Sequence, residues 1–500
     1  MATTRVKIAD LMETSGVRFG TSGARGLADD MTDRVCYAYS RAFLQHLNQS
    51  GEIANGDVVS IGGDLRPSTP RIMRAVAAAA ADAGYQPHGC GLLPSPALCL
   101  WGLYQHRATV MVTGSHIPEE RNGIKFTKPA GEILKPDEAA IRDQVVDLDD
   151  ERFDHQGHLL GQVPELEDDD SARKLYLQRY LDFFPSDLLA GRHIGVYQHS
   201  AVGRDLLVEI FTGLGARVTP LGRADGFVAV DTEAIRPEDV ELGRRWASEY
   251  DFDAIVSTDG DSDRPLLADE RGEWLRGDVA GILCAAQLGA AAVVTPVSCN
   301  SAVEKSGWFE TVERTRIGSP YVIEAMQRLS HEHEKNGRIV VGYEANGGFL
   351  LQTPIQRQER ILAPLPTRDA VIVHLAILER AGQRGKSVSQ LLAELPPRFT
   401  HSNRLKNFPV ERSRAKLAEL STGDFDRDRL SVERVFGAPF GNVASVDTTD
   451  GLRITFESAE VVHLRPSGNA PEFRCYTEAD SPQRAAEMNR ICMEIMAAWR

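Results

Sequence analysis

The stretch ATVMVTGSHIP, residues 108–118, joins a predicted strand to a tight turn that carries a hydroxyl. The apolar run 108–112 predicts the strand, and Gly114 lets the backbone bend sharply after it. Open α/β sheets bind ligands at the carboxyl ends of their strands, so Ser115 is expected to face a cleft. Because an isolated serine after glycine is usually only a turn residue, the meaning of this serine turn (residues 113–118) depends on the rest of the chain.

Strand and helix patterns alternate on the N-terminal side of the serine turn. The predicted elements are strand 58–61, helix 70–83, strand 86–92, helix 96–104 and strand 108–112. Pro70 suits the first turn of a helix and Gly84 suits its end. This alternation is typical of α/β folds.

The alternation restarts twice, and the last part of the chain then changes pattern. We predict helix 172–184, strand 193–197, helix 203–213, strands 216–221 and 254–257, helix 279–288, strand 291–297, a helix from about Pro320, strand 338–341 and helix 368–381, followed by strands 398–409, 452–456 and 461–464 with helices 412–420 and 482–499. The predicted fold class is α/β, with three successive α/β mixed-sheet domains plus a C-terminal α+β domain. Their expected bounds are 1–165, 166–272, 273–387 and 388–500.

Composition excludes several classes of function. A net charge of -15 does not suit a nucleic-acid surface, which needs clustered Lys and Arg. The apolar runs are too short or too interrupted to span a bilayer, and the first ten residues lack the pattern of a secretory signal. The seven cysteines show no metal-ligand spacing, so we expect reduced, mostly buried thiols and a cytoplasmic protein.

A second segment with chemical potential is DGDSDR, residues 259–264, which we call the acidic loop. It follows a predicted strand and places Asp259, Asp261 and Asp263 at alternate positions, with a glycine that permits them to converge. Hard oxygen ligands of this kind favour Mg²⁺, although a dense acidic turn can also be merely solvated. Arg264 adds a positive group that suits a phosphate or sugar oxygen. A hydroxyl near a hard cation indicates phosphoryl transfer.

Two basic residues and a histidine are further candidates. Arg25 lies between glycines in RFGTSGARG, residues 18–26, where backbone N–H groups can approach an anion. Lys125, in NGIKF, is the second basic candidate, and the alternative is an ordinary solvated lysine. His116 lies beside Ser115, and the alternative is a capping or surface histidine without a catalytic role.

Two more loops carry polar groups after predicted strands. In GYEANGGF, residues 342–349, Glu344 and Asn346 suit sugar hydroxyls, although such residues are often only caps or turns. We call this segment the glutamate loop. In RPSGNAPEFR, residues 465–474, an arginine, a hydroxyl, a glycine amide and a side-chain amide suit a phosphate, the alternative being a proline-rich β-turn. We call it the arginine segment.

Taken in their order along the chain, the five segments resemble those of the α-D-phosphohexomutase superfamily. The resemblance runs from Arg18 to Glu478 and implies a four-domain, heart-shaped architecture around a central cleft. It further implies that Ser115 is a phosphoserine and that Asp259, Asp261 and Asp263 hold Mg²⁺, with the serine phosphate as a further ligand. The implied catalytic set is Ser115, His116, Lys125, Arg25 and Arg264, and the implied substrate-binding set is Glu344, Asn346, Arg465, Ser467, Gly468, Asn469 and Arg474.

The resemblance also implies an activity. A member would move a phosphoryl group reversibly between the 6- and 1-positions of a hexose, with a hexose 1,6-bisphosphate as intermediate and activator. Mannose 6-phosphate and mannose 1-phosphate are the expected pair, and glucose or glucosamine phosphates are alternatives. A non-catalytic sugar-phosphate-binding protein and a phosphatase are rival interpretations. Small sugar phosphates, rather than nucleic acid or membrane, are the expected partners, and a monomer or homodimer the expected state.

Six positions, two in each of three segments, depart from the common family pattern. The serine turn has Gly114 and Ile117 where Ala and Asn are common. The glutamate loop has Asn346 and Gly348 where several branches have Ser and His. Because that histidine is absent, Lys125 is the first candidate for the acid–base group and His116 the second. The arginine segment has Asn-Ala at 469–470 where Thr-Glu is common, and an amide can still donate a hydrogen bond.

Overall fold

The computed structural model describes residues 3–20, 23–333, 337–467 and 471–500. The chain divides into two compact units, the larger made of Met1–Ala291 with Ser319–Gln390 and the smaller of Ala292–Gly318 with Leu391–Arg500. Mixed sheets with flanking helices confirm the predicted α/β class. The four predicted domain bounds stay a prediction. Among the described residues, none of the helices combines the length and apolar composition that crossing a lipid bilayer requires.

In the first sheet of the larger unit, a central strand ends at the serine turn. Its region contains β1 (Thr3–Lys7), α1 (Ile8–Ser15), β2 (Arg18–Phe19), β3 (Gly23–Leu27), α2 (Asp33–Gln49), β4 (Val58–Gly63), α3 (Thr69–Asp82), β5 (Gln86–Leu92), α4 (Ser95–Gln105), β6 (Ala108–Val112), β7 (Arg121–Lys128), β8 (Gly131–Glu132), α5 (Lys135–Asp143), β9 (Val145–Asp149) and a 3-10 turn (Asp150–Arg152). The strand order is β2-β3-β7-β6-β4-β5, with β4, β5 and β6 parallel. The elements predicted over residues 58–112 are confirmed to within two residues. Antiparallel β7 returns beside β6 and pairs Lys125 with Met111.

The second sheet presents the acidic loop. Its region contains α6 (Ser171–Phe183), β10 (His193–His199), α7 (Arg204–Gly213), β11 (Arg217–Arg223), α8 (Pro237–Glu249), β12 (Ala254–Thr258) and β13 (Pro265–Ala268). The order is β11-β10-β12-β13, and the acidic loop is the turn of the antiparallel β12–β13 hairpin. Helix α8 was not predicted, because it is mostly polar and buries only Asp239, Gly243 and Trp246.

The third region supplies the glutamate loop. It contains α9 (Gly277–Gln287), β14 (Ala292–Pro296), α10 (Ala302–Lys305), β15 (Thr311–Thr315), α11 (Ser319–His333), β16 (Val340–Tyr343), β17 (Phe349–Leu351), β18 (Ile355–Arg357), β19 (Arg360–Leu362), β20 (Leu365–Asp369), α12 (Ala370–Arg384) and α13 (Val388–Leu392). In the larger unit β16, β17 and β20 are antiparallel neighbours, and the glutamate loop joins the first two. The prediction that a helix begins at residue 368 was wrong, because Arg368 and Asp369 end β20 and Asp369 caps α12.

The C-terminal region of the smaller unit is an antiparallel sheet covered by helices. It contains β21 (Phe399–Lys406), α14 (Val410–Leu420), α15 (Phe425–Phe440), β22 (Val443–Asp447), β23 (Leu452–Phe456), β24 (Val461–Pro466), β25 (Glu472–Ala479) and α16 (Pro482–Ala497), with strand order β21-β25-β24-β23-β22. The prediction of a loop over residues 465–474 was wrong at both ends. Arg465 lies on β24 and Arg474 on β25, and the two are register partners. All seven cysteines are buried and unpaired, as predicted.

Two tyrosines attach α6 to the start of α12. The hydroxyl of Tyr176 donates to Asp369 at 2.7 Å, and the hydroxyl of Tyr180 donates to the other oxygen of the same carboxylate. All three side chains are buried. A buried carboxylate requires such donors, so this contact fixes the residue next to Arg368.

We therefore expect Tyr180→Phe to destabilise the protein by about 1.5–3 kcal/mol, because it removes a donor from a buried charge. Urea unfolding followed by fluorescence measures the change. Tyr104→Phe is the matched control, because Tyr104 is 65% exposed and its hydroxyl loses little. Equal midpoints for the two variants would contradict the role of the buried contact.

Candidate active site

The acidic loop gathers three buried carboxylates in one place. Asp259, Asp261 and Asp263 each offer an oxygen within 4.8 Å of the others. The backbone N–H groups of Asp263 and Arg264 donate to Asp259 Oδ1 at 3.2 Å, so the loop closes around that side chain.

Ser115 lies against this loop. Its Oγ donates to Asp259 Oδ2 at 2.5 Å, and its own backbone N–H donates to Thr113 Oγ1 at 2.8 Å. The residue is buried and has a left-handed φ of 57°. A Cβ on Gly260 would lie 2.7 Å from the carbonyl oxygen of Ser115, so only glycine lets the two segments approach this closely.

Arg66, which sequence reasoning missed, holds the serine turn from beneath. Its buried guanidinium donates to Asp64 and to four backbone carbonyls, those of Ser115, Ile117, Pro118 and Arg121. A Cβ on Gly114 would lie 2.7 Å from Arg66 Cζ, so a glycine is needed here to leave room for the guanidinium. The sequence contained a signal for this role: residues 64–66 follow β4, the parallel neighbour of β6, and so lie at the same edge of the sheet as the serine turn.

Cations surround the acidic loop. Lys125 is only 9% exposed, so the interpretation as a solvated lysine is wrong: its ammonium donates to Asp261 and, at 2.7 Å, to Asp263. Arg264 Nε lies 3.6 Å from Asp263 Oδ1 and 3.8 Å from Asp259 Oδ2. Arg25 lies on strand β3 rather than in a turn, and Thr21 and Ser22 before it lie outside the described residues.

These contacts shift the ionisation of the cluster. Burial, together with Asp261 and Asp263, raises the pKa of Asp259 well above its usual range. Burial also disfavours the charged forms of Asp261 and Asp263. Lys125 and a hydrogen bond from Ser95 nevertheless lower the pKa of Asp261, and the charges of Arg368, Lys125 and Arg264 lower that of Asp263. Burial, then the charges of Arg264 and Arg368, lowers the pKa of Arg25 to about 10.

The two acid–base candidates have opposite protonation states at neutral pH. The charge of Arg264, followed by burial, lowers the pKa of His116 far below its usual value, so its imidazole is neutral. Burial disfavours the Lys125 ammonium, but Asp261 and Asp263 outweigh this and raise the pKa of the lysine. His116 Nδ1 lies 3.4 Å from Ser115 Oγ.

The donor set fits a metal ion. Asp261 Oδ1 and Asp263 Oδ1 are buried and accept no hydrogen bond from the described residues, although buried carboxylate oxygens normally have partners. Three converging carboxylates, two of which have an unpartnered oxygen among the described contacts, can hold a hard cation. A second cluster, His46, Glu52 and Asp137, differs because, among the described contacts, neither of its carboxylates has a buried oxygen without a hydrogen-bond partner.

The glutamate loop packs next to the acidic loop. Gly347 has a left-handed φ of 87°, and a Cβ there would lie 2.9 Å from Pro265, the first residue of β13. Asn346 Oδ1 accepts from the backbone N–H of Gly348 at 2.9 Å, so this side chain helps to hold the loop. Glu344 is buried and accepts from Arg368, another residue that sequence reasoning missed. Its signal was a charged pair, residues 368–369, before an apolar helix.

In the smaller unit, the arginine segment forms adjoining ends of β24 and β25. Arg465 Nε donates to Asp450 Oδ1 at 2.9 Å, and Arg474 Nη2 lies 3.6 Å from Glu472 Oε2. The backbone N–H of Ser467 donates to the carbonyl of Glu472. Gly468 and Asn469 lie outside the described residues.

Family models and relatives agree on what the chain resembles. Models of phosphoglucomutase/phosphomannomutase match it over residues 16–152 (α/β/α domain I), 276–399 (α/β/α domain III) and 405–497 (C-terminal domain). It is 42% identical to a phosphomannomutase of Salmonella muenchen, covering 96% of this chain and 95% of the relative, and 43% identical to a phosphomannomutase of Sinorhizobium fredii, covering 95% and 97%.

A solved structure shows the same fold. A phosphoglucomutase/phosphomannomutase family protein from Burkholderia thailandensis superposes with a TM-score of 0.69 at 20% identity, covering 96% of each chain. With the matched models and the two relatives, this confirms the predicted resemblance. The chain belongs to the phosphoglucomutase/phosphomannomutase family of the α-D-phosphohexomutase superfamily, whose members are phosphotransferase-type isomerases.

Proposed function

We propose that this protein is a phosphomannomutase, which interconverts mannose 6-phosphate and mannose 1-phosphate through a phosphoserine at Ser115. The observation that carries the proposal is the 2.5 Å contact between Ser115 Oγ and Asp259 Oδ2, within a buried cluster of three carboxylates. The names of the two relatives above 40% identity support mannose as the hexose.

Charge balance supports a phosphorylated serine. Four carboxylates, Asp259, Asp261, Asp263 and Glu344, face four cations, Lys125, Arg25, Arg264 and Arg368. A phosphoserine brings a charge of about -2 and a divalent cation offsets it, so the two together keep the buried site neutral. Asp259, Asp261 and Asp263 would hold Mg²⁺, which would neutralise phosphoryl oxygens during transfer.

The side chains of the site divide the remaining work. Arg264 and Arg25 would stabilise negative charge on the phosphoryl group, because both are held near the acidic loop. Lys125, which stays protonated beside Asp261 and Asp263, is the first candidate for the proton donor. His116 Nδ1 lies 3.4 Å from Ser115 Oγ and is the second acid–base candidate, but its lowered pKa makes the imidazole a weak base. Positioning and electrostatic stabilisation together supply most of the acceleration in phosphoryl transfer.

The substrate makes contact at two further places in this proposal. Glu344 and Asn346 would bind sugar hydroxyls. Arg465, Ser467 and Arg474, with Gly468 and Asn469, would hold the phosphate at the other end of the sugar. A hexose 1,6-bisphosphate that rebinds in the opposite orientation would then present either end to Ser115. Cytoplasmic residence agrees with seven unpaired cysteines.

We expect Ser115→Ala to abolish mutase turnover without unfolding the protein, because it removes only the oxygen that would carry phosphorus. Ser248→Ala, an exposed serine on α8, is the matched control and should keep full activity. Incubation with a hexose 1,6-bisphosphate should add one phosphate to the wild-type mass and none to the Ser115 variant. Turnover by that variant would refute the proposal, and an unmodified wild type would favour a binding protein.

We expect mannose 1-phosphate to give the highest kcat/KM among mannose, glucose and glucosamine 1-phosphates, measured with a bisphosphate activator. The expectation follows from the two phosphomannomutase relatives. A higher value for either of the other sugars would reassign the enzyme as a phosphoglucomutase or a phosphoglucosamine mutase. Release of inorganic phosphate in step with substrate loss would indicate a phosphatase.

We expect Asp263→Asn to weaken divalent-cation binding at least about tenfold, since it removes the charge of one of three converging carboxylates. Titration calorimetry with Mg²⁺ and electron paramagnetic resonance with Mn²⁺ measure the affinity directly. Asp137→Asn, in the cluster around His46, is the control and should leave it unchanged. Equal loss in both variants would contradict a metal site in the acidic loop.

A further inference from the structure

Arg368 fills the space that Gly348 leaves open in the glutamate loop. A Cβ added to Gly348 would lie 2.5 Å from both Cδ and Cγ of Arg368, and its three nearest atoms all belong to that side chain. Gly348 has no left-handed φ, so an alanine there meets no backbone strain. The glycine is therefore needed for the arginine rather than for the turn.

The guanidinium of Arg368 joins two loops. Its Nε donates to Asp263 Oδ2 at 3.0 Å and its Nη1 donates to Glu344 Oε2 at 3.1 Å. The residue is 2% exposed. Because a guanidinium is planar and rigid, one group that binds both carboxylates fixes their separation and relative orientation.

The neighbours of Arg368 hold it in place. Thr367 donates to the buried Glu132 at 2.5 Å. On the other side, Asp369 accepts from Tyr176 and Tyr180 and caps α12. With both adjacent residues tied to buried groups, the backbone from which Arg368 extends has little freedom to shift.

We propose that Arg368 is a positioning residue that determines hexose specificity by fixing Glu344 relative to the acidic loop. This inference rests on the proposed function, in which Glu344 binds a sugar hydroxyl. Among the described residues, Arg368 is the donor to the Glu344 side chain, and it binds Oε2. The other oxygen, Oε1, is left for the substrate. A carboxylate oxygen at a fixed place accepts from a hydroxyl of one configuration and rejects its epimer, whereas a mobile one discriminates poorly.

Three variants test the proposal: Arg368→Ala, Gly348→Ala and the double variant. Each single change should lower kcat/KM for mannose 1-phosphate by about 10- to 100-fold, as loss of an orienting partner typically does. Each should also reduce the preference for mannose over glucose 1-phosphate. The double variant should be no worse than Arg368→Ala, because the new Cβ then has no arginine to displace. Arg368→Lys should keep the charge without recovering the preference, since an ammonium lacks the planar fork.

The same three variants give a readout that needs no turnover. The decreases in melting temperature should also be non-additive. Gly348→Ala should lower the melting temperature of the wild type, but should lower it little further in the Arg368→Ala background. Additive effects would overturn the contact, and an unchanged mannose-to-glucose ratio would overturn the specificity role. If the wild type converts no hexose phosphate while the melting temperatures remain coupled, the proposed function and the specificity role fail together and the structural tie stands.

Discussion

Burying three carboxylates in one six-residue loop is the constraint on which the rest of this site depends. Asp259, Asp261 and Asp263 are each at most 2% exposed, and isolated buried charges of that kind are too costly for a stable fold. The surrounding cations offset this cost by neutralising the carboxylates. Each cation comes from a different segment of the chain. Lys125 extends from β7, Arg264 from the loop itself and Arg368 from β20. Electrostatic neutralisation therefore brings together three sheet regions of the larger unit, and the same arrangement creates a place where an anionic phosphoryl group can be accommodated.

Glycines at the contacts allow these segments to meet. Gly260 permits the acidic loop to touch the carbonyl of Ser115, Gly114 leaves room for the Arg66 guanidinium, and Gly348 does the same for Arg368. Two of these three positions are ones where the sequence departs from the common family pattern. In both, the volume of the missing side chain is occupied by an arginine from another segment. The departures are thus compensated by packing and charge, which explains how a loop without the common histidine can still carry a positive group beside its glutamate.

The sequence predicted the features that depend on interactions between residues close together in the chain, and it missed those that depend on distant residues. Elements over residues 58–112 were predicted well because strong apolar periodicity and flanking Pro and Gly are local signals. Ser115 and the acidic loop were found because both follow apolar strands. The burial of Lys125 and the roles of Arg66 and Arg368 were missed, because each depends on partners distant in the chain. The first of the two strands that hold Arg465 and Arg474 was predicted only as far as residue 464 and the second was not predicted, because proline and glycine between them obscured the alternation.

The charge balance of the site also constrains the order of events in the proposed reaction. Without phosphate or metal, the four carboxylates in their ionised forms balance the four cations, and Lys125 and Arg368 pair directly with Asp263. A cation alone would add uncompensated positive charge, and a phosphoserine alone would add negative charge beside Asp259. Either step in isolation is opposed by the low dielectric of a buried site, whereas both together are not. Metal binding and phosphorylation of Ser115 are therefore expected to be thermodynamically coupled, each increasing the affinity for the other through the same buried carboxylates.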